Sequence, residues 1–229
     1  MTQYIYIREV STRRPWKAIV LDFLLTLVAI FIPTNIYAQD ASEPESDAGL
    51  RLFEKSPFDR ITLREAAGGG SFDVRPLDFP ERKIPKDVLP SDRLKVHLIE
   101  RDIEAEIAWR DIARLRLFEQ LVLDEAQALV AQKEFDEAYD YFGFLHSRYA
   151  KVEGLNAATH DYWYRNAGAL FQQGELVAAL ALLGQLHAAN PEFRGVGGAL
   201  TSVTDRLMAS YLEAGNYTAA RRLLEQTVR

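Results

Sequence analysis

Glycine runs, histidines and paired carboxylates are the residues of this chain whose types and spacing could carry chemistry. AAGGGSF, from Ala66 to Phe72, resembles a phosphate-cradling loop in its glycines. Such a loop needs a Lys-Ser/Thr pair and must open a helix. Here the glycines join two strand-like runs, so a hairpin loop is the expectation. His97, His146, His160 and His187 have no metal-ligand spacing. His146 and His187 each follow a leucine at equivalent places in two similar segments, which points to repeat geometry. ERDIEAE, from Glu100 to Glu106, could supply a general acid and base, but a solvated charged edge accounts for it. Ser71 and Ser91 lack the glycine elbow of a nucleophilic serine. The absence of cysteine excludes thiol nucleophiles and zinc ribbons. Asn216-Tyr217-Thr218 is a formal glycosylation sequon, read as chance. The expectation is a protein without a catalytic constellation, metal or cofactor.

The elements that must position anything functional begin after a leader. RRPWK precedes the apolar run Ala18 to Ile32, and PTNIYA ends at Ala38. A basic region, an apolar core of 15 residues and a small residue at the cut make residues 1–38 a signal peptide. The alternative is an uncleaved anchor, although a full span wants about 20 residues. The destination is the periplasm or the exterior, with membrane attachment only if the leader stays. Removing the leader's four basic and two acidic residues from 27 and 33 leaves 23 against 31, a net charge of −8. An acidic domain without a basic patch is a poor nucleic-acid binder.

Residues 39–57 read as an acidic linker, most clearly in QDASEPESDAG. Residues 58–113 read as a small β-rich unit. FDRITL and SFDVRPL flank the glycines, RLKVHLI and EAEIAW flank ERDI, and the proline-rich DFPERKIPKDVLPSD between the pairs cannot be a helix. Four short strands suggest a curled SH3-like or Sm-like barrel. IEAEIAWRDIARLRLF also fits a helix loosely through Ile103, Ile107 and Leu115.

Residues 114–229 read as helical and repetitive. Ala138, Ala179 and Ala220 are spaced 41 residues apart. Phe135, Leu176 and Tyr217 stand three residues before them, and Phe142, Leu183 and Leu224 four after. Gly174 ends one helical run in a form that reverses the chain, and Asn190-Pro191 stops the next. The middle unit carries Trp163, Ala167, Leu170, Gly174, Ala179, Leu183 and Pro191. The first has Val122, Ala126, Leu129, Ala138 and Phe142, with Lys133 in place of the turn glycine and Ala150 in place of the proline. The third has Tyr211, Gly215, Ala220 and Leu224, with Met208 at a usually small position. These units resemble the tetratricopeptide repeat. The resemblance covers residues 119–229, about half the chain, and departs from the family's period of about 34 residues. The seven extra residues, EGLNAAT and RGVGGAL, would lengthen the first helix of the next unit or the loop before it. The expected fold class is therefore mainly α, an α-solenoid of three such helical hairpins preceded by the small β-unit.

The resemblance implies protein or peptide binding in a groove lined by the first helices. Carried over, the groove positions are Gln120, Leu123, Asp124, Gln127, Val130 and Ala131; then Asp161, Tyr164, Arg165, Gly168, Phe171 and Gln172; then Ser202, Asp205, Arg206, Ala209, Leu212 and Glu213. Asp124, Gln127, Tyr164, Arg165, Phe171, Asp205 and Arg206 are the site residues expected to matter most. Aromatic and arginine side chains dominate interface energies; Tyr164 and Phe171 could instead pack against neighbouring helices. The third unit has no following capping helix, so a partner, a second copy or a further domain of a longer chain is expected at that end. The whole reads as an exported adaptor or scaffold. The alternative is an N-terminal accessory arm of a larger exported protein, such as a peptide-type solute-binding protein of a transporter.

Overall fold

Alternating apolar and polar residues build the first half of the fold. A computed structural model describes residues 49–227; the signal peptide expected at 1–38 and most of the acidic linker lie outside the described residues. Five strands, β1 (Asp59–Leu63), β2 (Ser71–Val74), β3 (Arg93–Leu98), β4 (Ile103–Ala108) and β5 (Ile112–Arg116), form an antiparallel sheet in the order β4-β3-β2-β1-β5. On the outer face of β1, Arg60 lies opposite Asp73 and Thr62 opposite Ser71, and both pairs hydrogen-bond across the strands at 2.7 Å. Such directly opposed pairs fix register. Ile61, Val74, Leu77, Val96, Ile112 and Leu115 form the core of the other face.

The fifth strand is a difference from the four-strand expectation, and it excludes the helix considered for IEAEIAWRDIARLRLF. Ile112 and Leu115 are three residues apart, a spacing that would put them on opposite faces of a regular strand. A bulge at Ala113 corrects this: Thr62 pairs with Arg114 while the next residue, Leu63, pairs with Ile112. Both apolar side chains then point inward. β4 and β5 sit at opposite edges of the sheet, yet only Trp109–Asp111 joins them. Four strand spacings of about 4.8 Å span roughly 19 Å if flat. Four extended steps reach at most about 14 Å. The sheet must therefore curl to bring its edges near each other.

Six helices follow: α1 (Phe118–Gln132), α2 (Phe135–Arg148), α3 (Leu155–Gln173), α4 (Leu176–Ala189), α5 (Val196–Glu213) and α6 (Tyr217–Thr227). They pack as the hairpins α1/α2, α3/α4 and α5/α6, and their backbone geometry repeats every 41 residues. Glu134 donates to the carbonyl of Leu129, Glu175 to that of Leu170 and Asn216 to that of Tyr211. Each is the long bond that closes a helix C-terminus after a left-handed residue. That residue is Lys133, Gly174 or Gly215, at φ 68, 85 and 69. Ala138, Ala179 and Ala220 are all buried, each in the first turn of its hairpin's second helix. The seven extra residues lengthen the first helix: α3 and α5 have 19 and 18 residues against 15 in α1, and Gly154 and Gly195 cap them at φ 84 and 90.

Residues 51–54, within the segment read as linker, are fastened to α2. Arg51 pairs with Asp140 at 2.5 Å, the Leu52 amide donates to the Tyr141 hydroxyl at 3.2 Å, and the Phe53 ring lies 4.7 Å from that of Tyr141. An arginine and two apolar residues inside a charged stretch dock it. The first helical core gathers Phe118, Val122, Tyr141, Phe142, Leu145 and Tyr162, and the second gathers Leu176, Leu183, Leu186, Val196, Val203 and Leu207. Trp163 packs against both. Among the described residues, no helix is long and apolar enough to cross a membrane.

Candidate interaction surface

The first helices of the hairpins share one solvent-facing stripe. Its rows, again 41 residues apart, are Gln120, Asp161 and Ser202; Asp124, Arg165 and Arg206; Gln127, Gly168 and Ala209; and Ala131, Gln172 and Glu213. The spacing of four, three and four along each helix keeps that helix's four positions on one face. All are exposed except Gln120 and Asp161, which are half-buried. Short-range pairs hold several of them. Arg165 Nε donates to Asp161 Oδ2 at 2.7 Å, one turn away. Asp124 accepts a short hydrogen bond from Arg116 on β5, which ties α1 to the sheet. The Arg206 guanidinium sits 5.7 Å from the centre of the Phe171 ring, within the range of a cation–π contact.

The other positions carried over from the resemblance lie between hairpins. Leu123 and Val130 are buried in the first helical core. Their counterparts Tyr164 and Phe171 are half-buried against the second. The Tyr164 ring packs 5.3 Å from that of Phe193, and its hydroxyl fills the space where a side chain on Gly195 would begin. Only the third members of these rows, Asp205 and Leu212, are exposed. Tyr164 and Phe171 thus touch the next hairpin, whereas Asp124, Gln127, Arg165, Asp205 and Arg206 are open to a partner.

The structure also brings together charged residues that no sequence spacing connects. Asp59 at the start of β1 is fully buried and Glu119 in the first turn of α1 nearly so. Between them lies Arg82, which donates to Asp59 at 2.6 and 3.0 Å, to Glu119 at 2.9 and 3.1 Å, and to the Leu77 carbonyl at 2.7 Å. Asp59 further accepts the backbone amides of Leu77 and Phe118 at 2.7 and 2.8 Å. The Phe118 amide is among the free donors of the α1 N-terminus, so a carboxylate from the sheet caps the first helix. Burial works against the Arg82 charge, but its hydrogen bonds to Glu119 and Asp59 outweigh that and hold the guanidinium protonated. Glu81 and Arg82 adopt left-handed backbone at φ 53 and 55, a strain that persists only where the surroundings over-determine it. The cluster fastens the proline-rich loop and the sheet to α1, and its buried polar atoms are satisfied.

A cleft of about 440 Å³ on the sheet is lined by Arg75, Lys95, His97, Glu104 and Glu106 among others. His97 and Arg75 hold Asp102 at 2.7 and 2.9 Å, and the His97 hydrogen bond, with the nearby Arg75 charge, keeps its carboxyl below the usual range. Charges of both signs neutralise one another there, so the cleft favours no single ligand charge. Among the described residues, no cluster of three or more His, Asp or Glu could hold a metal ion. Fold and surface define a class, a three-hairpin helical array behind a curled antiparallel sheet. No protein-family model, curated protein or solved structure matches the chain.

Proposed function

We propose that this chain is a non-enzymatic, exported adaptor whose helical array binds a protein or peptide along the shared stripe of α1, α3 and α5. In this reading the hairpins form a tetratricopeptide-like solenoid and the curled sheet an SH3-like barrel. The return of β5 beside β1 after a three-residue connection supports the barrel. The observation that carries the function is the recurrence of an exposed stripe at a fixed register. The row Asp124, Arg165 and Arg206 is acidic in the first hairpin and basic in the other two, while the buried Ala138, Ala179 and Ala220 do not change. A solenoid reads an extended partner along such rows, and arginines are strong anchors. Export rests on the leader pattern at 1–38.

The test is site-specific photo-cross-linking in the native cell, with the photoreactive residue at position 165 or 206 and a control at Val177 on α4, which is equally open to solvent. The proposal expects one protein adduct common to positions 165 and 206, absent at 177 and weakened by Glu213→Lys on the stripe. The same adducts from position 177, or none from either stripe position, would overturn it.

A further inference from the structure

The two edges of the sheet are built differently. β5 carries the bulge at Ala113, bears Arg114 and Arg116 and runs through Leu117 into α1. A bulge and basic side chains discourage pairing with a further strand. β4 has neither. Its six residues pair with β3 in unbroken register, from Arg93 opposite Ala108 to Leu98 opposite Ile103. Among the described residues, no strand lies on its other side. Ile103, Glu104 and Glu106 are exposed.

The hydrogen bonds of β3 settle which way the β4 backbone points. The His97 carbonyl accepts from the Arg75 amide at 2.9 Å and the Ile99 amide donates to the Asp73 carbonyl at 3.1 Å, so both address the β2 side. The alternation of an antiparallel ladder then turns Leu94, Val96 and Leu98 toward β4, where Ile107, Ala105 and Ile103 oppose them. The amides and carbonyls of Glu104 and Glu106 point outward, as donors and acceptors for one more strand.

Charge specifies the occupant. The solvent face is charged in rows: Arg93, Lys95 and His97 on β3, then Glu104 and Glu106 on β4, with Lys95 opposite Glu106 and His97 opposite Glu104. A strand laid beside β4 meets the glutamates first, and the β3 cations stand one spacing of about 4.8 Å further away. His97 is also held by Asp102 at 2.7 Å. On the other face Ala105 and Ile107 pack against the sheet core, and Ile103 continues their row. A second copy suits this edge poorly. The antiparallel overlap that keeps like faces together sets Ile103 against Ile107 and Glu104 against Glu106 twice, and like charges directly opposite destabilise a pair.

We propose that the outer edge of β4 binds an extended segment of another protein as an added strand. Its basic residues lie beside Glu104 and Glu106, and the apolar residues alternating with them lie beside Ile103 and Ile107. Main-chain hydrogen bonds give such a contact its strength and alternate side chains its specificity. This edge is separate from the helical stripe of the proposed function, and either site can fail without the other.

The probe is an octapeptide of alternating lysine and valine, acetylated, amidated and labelled with a fluorophore. Anisotropy with the full chain should show saturable binding below about 1 mM. The same peptide with glutamate in place of lysine should bind at least about tenfold more weakly. Only one edge of an added strand faces β4, so N-methylating one alternate set of amides should weaken binding about tenfold or more, and the other set about twofold or less. In the protein, Glu106→Gln should weaken it about two- to fivefold. Glu106→Pro also removes an outward amide, a position where an edge strand tolerates proline, and should weaken it about tenfold or more. Glu137→Gln on α2, equally open to solvent, should leave it unchanged. Thermal melts establish that each variant is folded, and the methylated peptides decide the matter with the unaltered chain. No saturable binding, equal losses from the two methylated sets, or indifference to both Glu106 variants would overturn the proposal. Self-association of the full chain that Glu106→Pro abolishes would also overturn it, making the occupant a second copy.

Discussion

Replacing Arg82 with methionine removes five hydrogen bonds and the cation between two buried carboxylates, while the apolar stem is kept. Asp59 retains the Leu77 and Phe118 amides, but Glu119 loses its ion-pair partner. Breaking a buried pair by removing one member costs about 3–5 kcal/mol. The Arg82 side chain is 29% exposed, so water can enter the gap, and the lower end, about 3 kcal/mol, is the expected loss. That is a large share of a typical stability of about 5–15 kcal/mol. At about 2–4 °C per kcal/mol for a chain of this size, it lowers Tm by roughly 6–12 °C. Urea unfolding measures the loss directly as a fall in midpoint. A deficit below about 1 kcal/mol would refute the assignment of this cluster as the fastening between sheet and helices.

Lys133→Gly should stabilise the chain by up to about 1 kcal/mol, because a lysine occupies the left-handed turn position that glycine fills at 174 and 215; a fall in urea midpoint would contradict that turn. Gly195→Ala should destabilise by about 1–3 kcal/mol, from its left-handed backbone and from a Cβ only 2.8 Å from the Tyr164 hydroxyl. Tyr164→Phe in the same chain should recover part of the loss, and melts of the four variants in the cycle measure the recovery. Asp102 should titrate below an ordinary aspartate by carboxyl NMR, because the His97 hydrogen bond and the Arg75 charge favour its ionised form. A depressed folded value means that its contribution is present above the unfolded pKa and is lost as pH falls through the folded one. His97→Ala together with Arg75→Ala should return the titration to the ordinary range.

The repeat was legible because its constraints are local. A left-handed residue, a buried alanine five residues later and flanking apolar residues must recur wherever one hairpin geometry recurs, and Ala138, Ala179 and Ala220 carried that signal despite Lys133. The fifth strand was not legible for an equally definite reason. The bulge at Ala113 lets Ile112 and Leu115 face the core together, so a strand shows a spacing that suits a helix. The Arg82 cluster joins residues 23 and 37 apart in sequence, and nothing near Asp59 or Glu119 announces a partner in a proline-rich loop. The stripe positions were found through the repeat register. Their division was not, because Tyr164 and Phe171 differ from Arg165 only in which side of the helix meets the next hairpin.

The central claim is that one solvent stripe, repeated at a 41-residue register, is the binding surface of the array. Amide hydrogen exchange on the full chain, alone and with the protein captured by cross-linking at position 165, tests it most directly. The account predicts added protection in three stretches, around 120–131, 161–172 and 202–213, with α2 and α4 unchanged. Protection confined to the second helices or to the sheet would contradict it.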